Sequence, residues 1–139
     1  MKPPFEILEH PSDLGIEARG ATIAEAFLNA ARGLMSVIAG SSTIDSNEER
    51  LISLVALDRE NLLVRWLTEI LFLYDAEKFL TADAKFDMLN NTSLKATVFG
   101  QKYDPSNHEL TLDIKAITYH KLMVEMHDDI WTARVFVDI

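Results

Sequence analysis

The sequence predicts an α+β domain, with two helices packed on one face of a mainly antiparallel sheet. Three observations point there. Two segments repeat apolar residues at helical spacing over several turns. Some seven or eight short segments alternate apolar and polar residues, as half-buried strands do. The helices are segregated among the strands and do not alternate with them one for one, which is the α+β pattern. At 139 residues the chain has the size of one domain, taken here as residues 1–139.

Phe5 to His10 alternates, with Phe5 and Ile7 on one phase and Glu6 on the other. Pro11-Ser12 interrupts it as a bend. Asp13 to Gly20 alternates again, with Leu14, Ile16 and Ala18 apolar and Asp13, Gly15, Glu17 and Arg19 opposite. These two segments form an antiparallel pair or one bent strand. Thr22 with Glu25 is a capping box. Ile23, Ala26, Phe27, Ala30, Ala31, Leu34, Met35 and Ile38 then follow helical spacing, and Gly40 is the stop.

Ser41 to Arg50 reads as irregular. Leu51 to Leu57 is almost continuously apolar and predicts a central strand buried on both faces. Asp58 caps a second helix with the stripe Leu62, Leu63, Trp66, Leu67, Ile70, Leu71 and Tyr74. Arg65 and Glu69, four apart, predict a surface pair. Ala84–Leu89 and Leu94–Tyr103 predict strands joined by a turn at Asn90-Asn91, and Asp104 to Asn107 is a turn by composition. Leu110–Thr118, Lys121–His127 and Trp131–Ile139 are the last three predicted strands, with a tight turn at Asp128-Asp129.

Composition narrows function. Twenty-two acidic against thirteen basic residues give a net charge of −9, with no basic cluster, so stable direct grip on nucleic acid is not expected. Such a surface suits divalent cations or basic protein surfaces. The absence of cysteine excludes disulfides and thiolate chemistry. No apolar run is long enough for a membrane span, and the N-terminal stretch lacks the apolar core of a secretory leader. A cytoplasmic location is the expectation.

Strand parity selects a few residues that can do chemistry. Trp131, Ala133, Val135, Val137 and Ile139 share one phase, and Asp138 takes the other. Asp13 lies on the polar phase of its strand. Lys115 does too, if Leu110, Leu112, Ile114 and Ala116 are the apolar side. A solvated sheet face explains the same pattern. Asp138 and the α-carboxylate of Ile139 are nevertheless adjacent oxygen donors, and with Asp13 they make three hard groups suited to Ca2+, Mg2+ or Mn2+. Of the four histidines, none forms an H-x-x-x-H pair. His120 shares parity with Leu122, Val124 and Met126, so it reads as a core or edge histidine unless a bulge at Thr118-Tyr119 re-aims it. Glu69 reads as a surface residue with a weaker claim to approach the site. No nucleophile elbow, phosphate loop or dinucleotide fingerprint occurs.

Four blocks together resemble the archease family across Phe5 to Ile139. They are Glu9-His10-Pro11-Ser12-Asp13-Leu14-Gly15-Ile16, the helix from Gly20 to Ala31, the helix from Asp58 to Leu71, and Lys115-Ala116-Ile117-Thr118-Tyr119-His120 with Val137-Asp138-Ile139. Pro11-Ser12 stands where the family usually has threonine-alanine. The resemblance implies an archease-like single domain. It also implies a protein that is no enzyme, with no catalytic residues of its own, acting as activator of an RtcB-type RNA ligase. That ligase joins 3′-phosphate to 5′-hydroxyl ends, and the activator promotes its guanylylation and multiple turnover in tRNA splicing and RNA repair. The implied metal ligands are Asp13, Asp138 and Ile139, with Ca2+ the first expectation and Mg2+ or Mn2+ the alternatives. Lys115 and His120 are the implied residues of ligase activation or docking. Self-association is left open. Two other readings compete, a chaperone-like adaptor and a stand-alone metal-dependent phosphoester hydrolase.

Overall fold

A computed structural model describes residues 2–139. In chain order the elements are β1 (Phe5–Glu9), β2 (Asp13–Gly20), α1 (Ile23–Ala39), β3 (Glu48–Val55), α2 (Arg59–Glu77), β4 (Phe79–Leu89), β5 (Ser93–Lys102), β6 (Ala116–Ile117), β7 (Met123–His127) and β8 (Ile130–Asp138). The fold is α+β and antiparallel throughout, with the strands divided between two sheets. One runs β1-β2-β8, with β6 and β7 both on the far side of β8; the other is β3-β5-β4.

The helices start and stop where side chains satisfy their ends. Thr22 Oγ1 accepts from Glu25 N at 3.1 Å, and Asp58 Oδ1 accepts from Asn61 N at 2.8 Å. Gly40 closes α1 at φ 60°, a left-handed turn that costs glycine little. Every residue of the α2 stripe is buried, and of the α1 stripe only Ile23 is partly exposed. Helix α1 packs on β1, β2, β4 and β8, so Ile16, Ala18, Ala133, Val135 and Val137 are fully covered. Trp66 ties the helices together, its Nε1 donating to Phe27 O at 2.9 Å. The opposite face of β2 and β8 carries no helix. No described helix is long and apolar enough to cross a membrane.

Several expectations are corrected. Leu51–Leu57 is not a central strand. β3 is an edge strand beginning at Glu48, and Leu51, Val55 and Leu57 are 82%, 72% and 88% exposed. A continuous apolar run is compatible with either place, since only the neighbours decide what covers each face. β4 starts at Phe79, directly after α2, because Lys78 takes the left-handed conformation that turns the chain. Of Leu110–Thr118 only Ala116 and Ile117 form ladder pairs, and β7 begins at Met123. Thr118 to Leu122 leaves the edge of β8 as a bulge between them. Arg65 and Glu69 make no ion pair among the described residues.

Candidate functional site

The helix-free end of the β2–β8 pair gathers the singular chemistry of the chain. Antiparallel register sets Asp13 directly opposite Asp138, and Gly15 opposite Phe136. Directly opposed residues point to the same face, so both aspartates leave the sheet together. Ile139 follows at once and is 40% exposed. β6 closes the other side: Ala116 pairs with Asp138, and Lys115 N donates to Asp138 O at 2.8 Å. The backbone thus brings Asp13, Asp138, Ile139 and Lys115 to one corner.

Lys115 arrives there differently from the sequence expectation. Ala116, not Lys115, shares the face of Asp138, and the buried residues flanking it are Ile114 and Ile117. The phase switches within that segment because regular pairing begins only at Ala116. Lys115 is exposed and has no carboxylate within ion-pair distance among the described residues.

Phe136 is the floor. It lies on the helix-free phase of β8, and its ring passes over Gly15, where an added Cβ would sit 2.9 Å from Cε2. His10 and His120 stand edge-on to that ring, with centroids 5.8 Å and 5.6 Å away. The two imidazoles are 6.1 Å apart. His120 gets there through the bulge: Thr118 Oγ1 donates to Phe136 O at 2.9 Å and accepts from His120 N at 3.3 Å. Tyr119 turns the other way and accepts from Asn61 Nδ2 of α2 at 2.9 Å. His120 is therefore exposed and not in the core: the bulge at Thr118-Tyr119, the exception the sequence reading allowed, re-aims it. Lys121 Nζ lies 6.0 Å from the Phe136 centroid, and its carbonyl accepts from Arg134 Nε at 3.1 Å.

Asp13 is 8% exposed. Its Oδ1 is shut off from solvent without an aligned hydrogen-bond donor among the described residues. His10 Nδ1 is 2.6 Å from that oxygen but off the N–H direction, so it makes no hydrogen bond to it. A buried carboxylate oxygen without a donor is costly and calls for a cation. No three His, Asp or Glu side chains group closely enough to hold a metal among the described residues. The main-chain oxygen of Ile139 is the next oxygen group along the chain from Asp138. Glu69 has no hydrogen bond to any of these residues.

Residues 5–139 match the model of the Archease protein family (MTH1598/TM1083). The chain belongs to the archease family. Protein archease of Sulfolobus acidocaldarius is 37% identical over 136 residues, covering 97% of this chain and 98% of the relative. The solution structure of Methanobacterium thermoautotrophicum protein 1598 matches with TM-score 0.84 at 31% identity, covering 98% of this chain and 99% of that one. The crystal structure of a Thermotoga maritima archease, described as a possible chaperone, matches with TM-score 0.66 at 22% identity over 100% of this chain and 98% of that one, a likeness of fold.

The archease fold here also assembles residues that sequence reasoning passed over. His10 is one, and its signal was the spacing to Asp13 across the Pro11-Ser12 bend. Phe136 is the other: an aromatic side chain on the polar phase of β8, which register sets against a glycine on the polar phase of β2.

Proposed function

We propose that this archease acts as a protein cofactor of an RtcB-type RNA ligase, through a metal-bearing acidic corner. The observation that carries the reading is the direct cross-strand opposition of Asp13 and Asp138 beside Ile139. Two carboxylates on one face repel unless a cation neutralises them, and all-oxygen donors suit Ca2+, Mg2+ or Mn2+. The donor set fits such an ion: Asp13 and Asp138 by their side chains and Ile139 by its main-chain oxygen. When bound, the metal supplies positive charge at the rim of the corner.

The protein's own residues do the rest. Lys115 places a mobile ammonium near the acidic corner, the charge a phosphate group requires. His120 is held at the Phe136 floor by the Thr118 bulge, as part of the docking surface. The corner docks at the mouth of the ligase active site and favours guanylylation there. The net charge of −9 is consistent with docking on protein and not on RNA.

The test is single-turnover guanylylation of the ligase with GTP over a range of Mn2+. Lys115→Ala is expected to keep fold and metal affinity while sharply reducing stimulation. Asp13→Asn is expected to reduce both metal affinity, measured by calorimetry, and stimulation. Stimulation equal to wild type in both variants would refute the proposal and favour the adaptor reading, in which the carboxylates are a solvated face. Turnover of a generic phosphoester by the purified protein alone would instead favour a hydrolase.

A further inference from the structure

We infer that β3 is a self-pairing edge, on which two copies of this chain join their three-stranded sheets into one antiparallel six-stranded sheet. The two edges of the three-stranded sheet are treated differently. The β4 edge is broken by irregularities at Thr81/Asp83 and Phe86/Met88 and studded with Asp83, Lys85 and Asp87. Bulges and charges of that kind keep an edge from pairing. β3 pairs with β5 without a register shift from Glu48 to Val55. Its outer side has no strand neighbour, and no backbone group of residues 51–55 bonds outward among the described residues. Leu51, Val55 and Leu57 are among the most exposed large apolar side chains of the protein.

The occupant follows from the residues of the edge itself. Leu51 to Leu57 carries no charge and is bounded by Arg50 and Asp58. Two-fold pairing of antiparallel edges sets residues of equal parity opposite each other. Centred on Ser53, it sets Leu51 against Val55 of the second copy, Val55 against its Leu51, and serine against serine. The ladder over residues 51–55 then opposes no like charges, and Glu48 and Glu49 fall outside it. That matters for a chain of charge −9, whose copies repel elsewhere. Aliphatic and serine cross-strand pairs are each favourable. The elements β3 packs against most are β5 and α2, and it lies in a different sheet from β2 and β8, so the corner of Asp13 and Asp138 stays free in the pair.

The protein has no cysteine, so a single introduced thiol reports the register. Opposed residues of a pair bring Cβ atoms to about 4.5–5.5 Å, near disulfide reach. Ser53→Cys is expected to cross-link into a covalent dimer under mild oxidation, well above Lys95→Cys on the neighbouring strand. Sedimentation equilibrium from micromolar to millimolar protein is expected to show a dimer for wild type. Leu51→Lys with Val55→Lys is expected to give a monomer with unchanged far-UV circular dichroism, since both positions are exposed. A wild type that stays monomeric throughout overturns the inference, even if an added extended peptide then protects the β3 amides from exchange. So does a dimer that survives the double lysine change, or equal cross-linking at Ser53 and Lys95.

Discussion

Replacing Trp66 with alanine removes the side chain on which the two helices meet. Trp66 is fully buried, its ring centroid lies 5.0 Å from that of Phe86, and its Nε1 donates to Phe27 O at 2.9 Å. Truncating a buried tryptophan costs about 3–5 kcal/mol. The hydrogen bond, about 1 kcal/mol in such exchanges, places this position toward the upper end. Against a domain stability of about 5–15 kcal/mol, that is about a quarter or more of the total. With a urea m-value of about 2 kcal/mol per molar, a loss of about 4 kcal/mol lowers the midpoint by about 2 M. Urea unfolding followed by far-UV circular dichroism measures this, with Trp66→Phe as the control that keeps most of the volume and drops the N–H. The phenylalanine variant is expected to lose about 1–2 kcal/mol. An alanine variant that loses less than about 2 kcal/mol, or a phenylalanine variant as costly as alanine, refutes the claim that packing at this junction holds α1 to α2.

Phe27→Ala, fully buried on α1, should lose about 3–5 kcal/mol in the same titration. Gly15→Ala puts a Cβ 2.9 Å from Phe136 Cε2, so the ring must yield by about 0.5 Å to reach ordinary contact. It is expected to cost about 1–3 kcal/mol and to shift the imidazole proton resonances of His10 and His120; unshifted resonances mean Phe136 is not their floor. Asp104 has its pKa held below the ordinary 3.8, first by the Ser106 N–H and then by the Asn107 amide. A lowered folded pKa means the stabilisation is fully present above the ordinary value and is lost as pH falls through the folded one. The melting-temperature gap between wild type and Asp104→Ala is therefore expected at neutral pH and to narrow in strong acid; a gap that widens there contradicts the turn geometry.

The sequence by itself determined what depends on near neighbours. Both helices, their caps at Thr22 and Asp58 and the buried stripe through Trp66 follow from periodicity and short-range hydrogen bonding, and the structure has them where the pattern puts them. β2 runs from Asp13 to Gly20 as its alternation says. Parity also placed Asp13 and Asp138 on the helix-free face, and the family resemblance named the fold. What alternation cannot carry is register and neighbourhood, because these are set by residues more than a hundred positions apart. Only the assembled sheet decided that Asp13 faces Asp138, that Gly15 makes room for Phe136, and that the Thr118 bulge swings His120 beside His10. It also decided that Leu51–Leu57 lies on an edge. An apolar run records which side chains favour burial, but a face is buried only if another element covers it, and among the described residues no strand lies beyond β3 in its sheet.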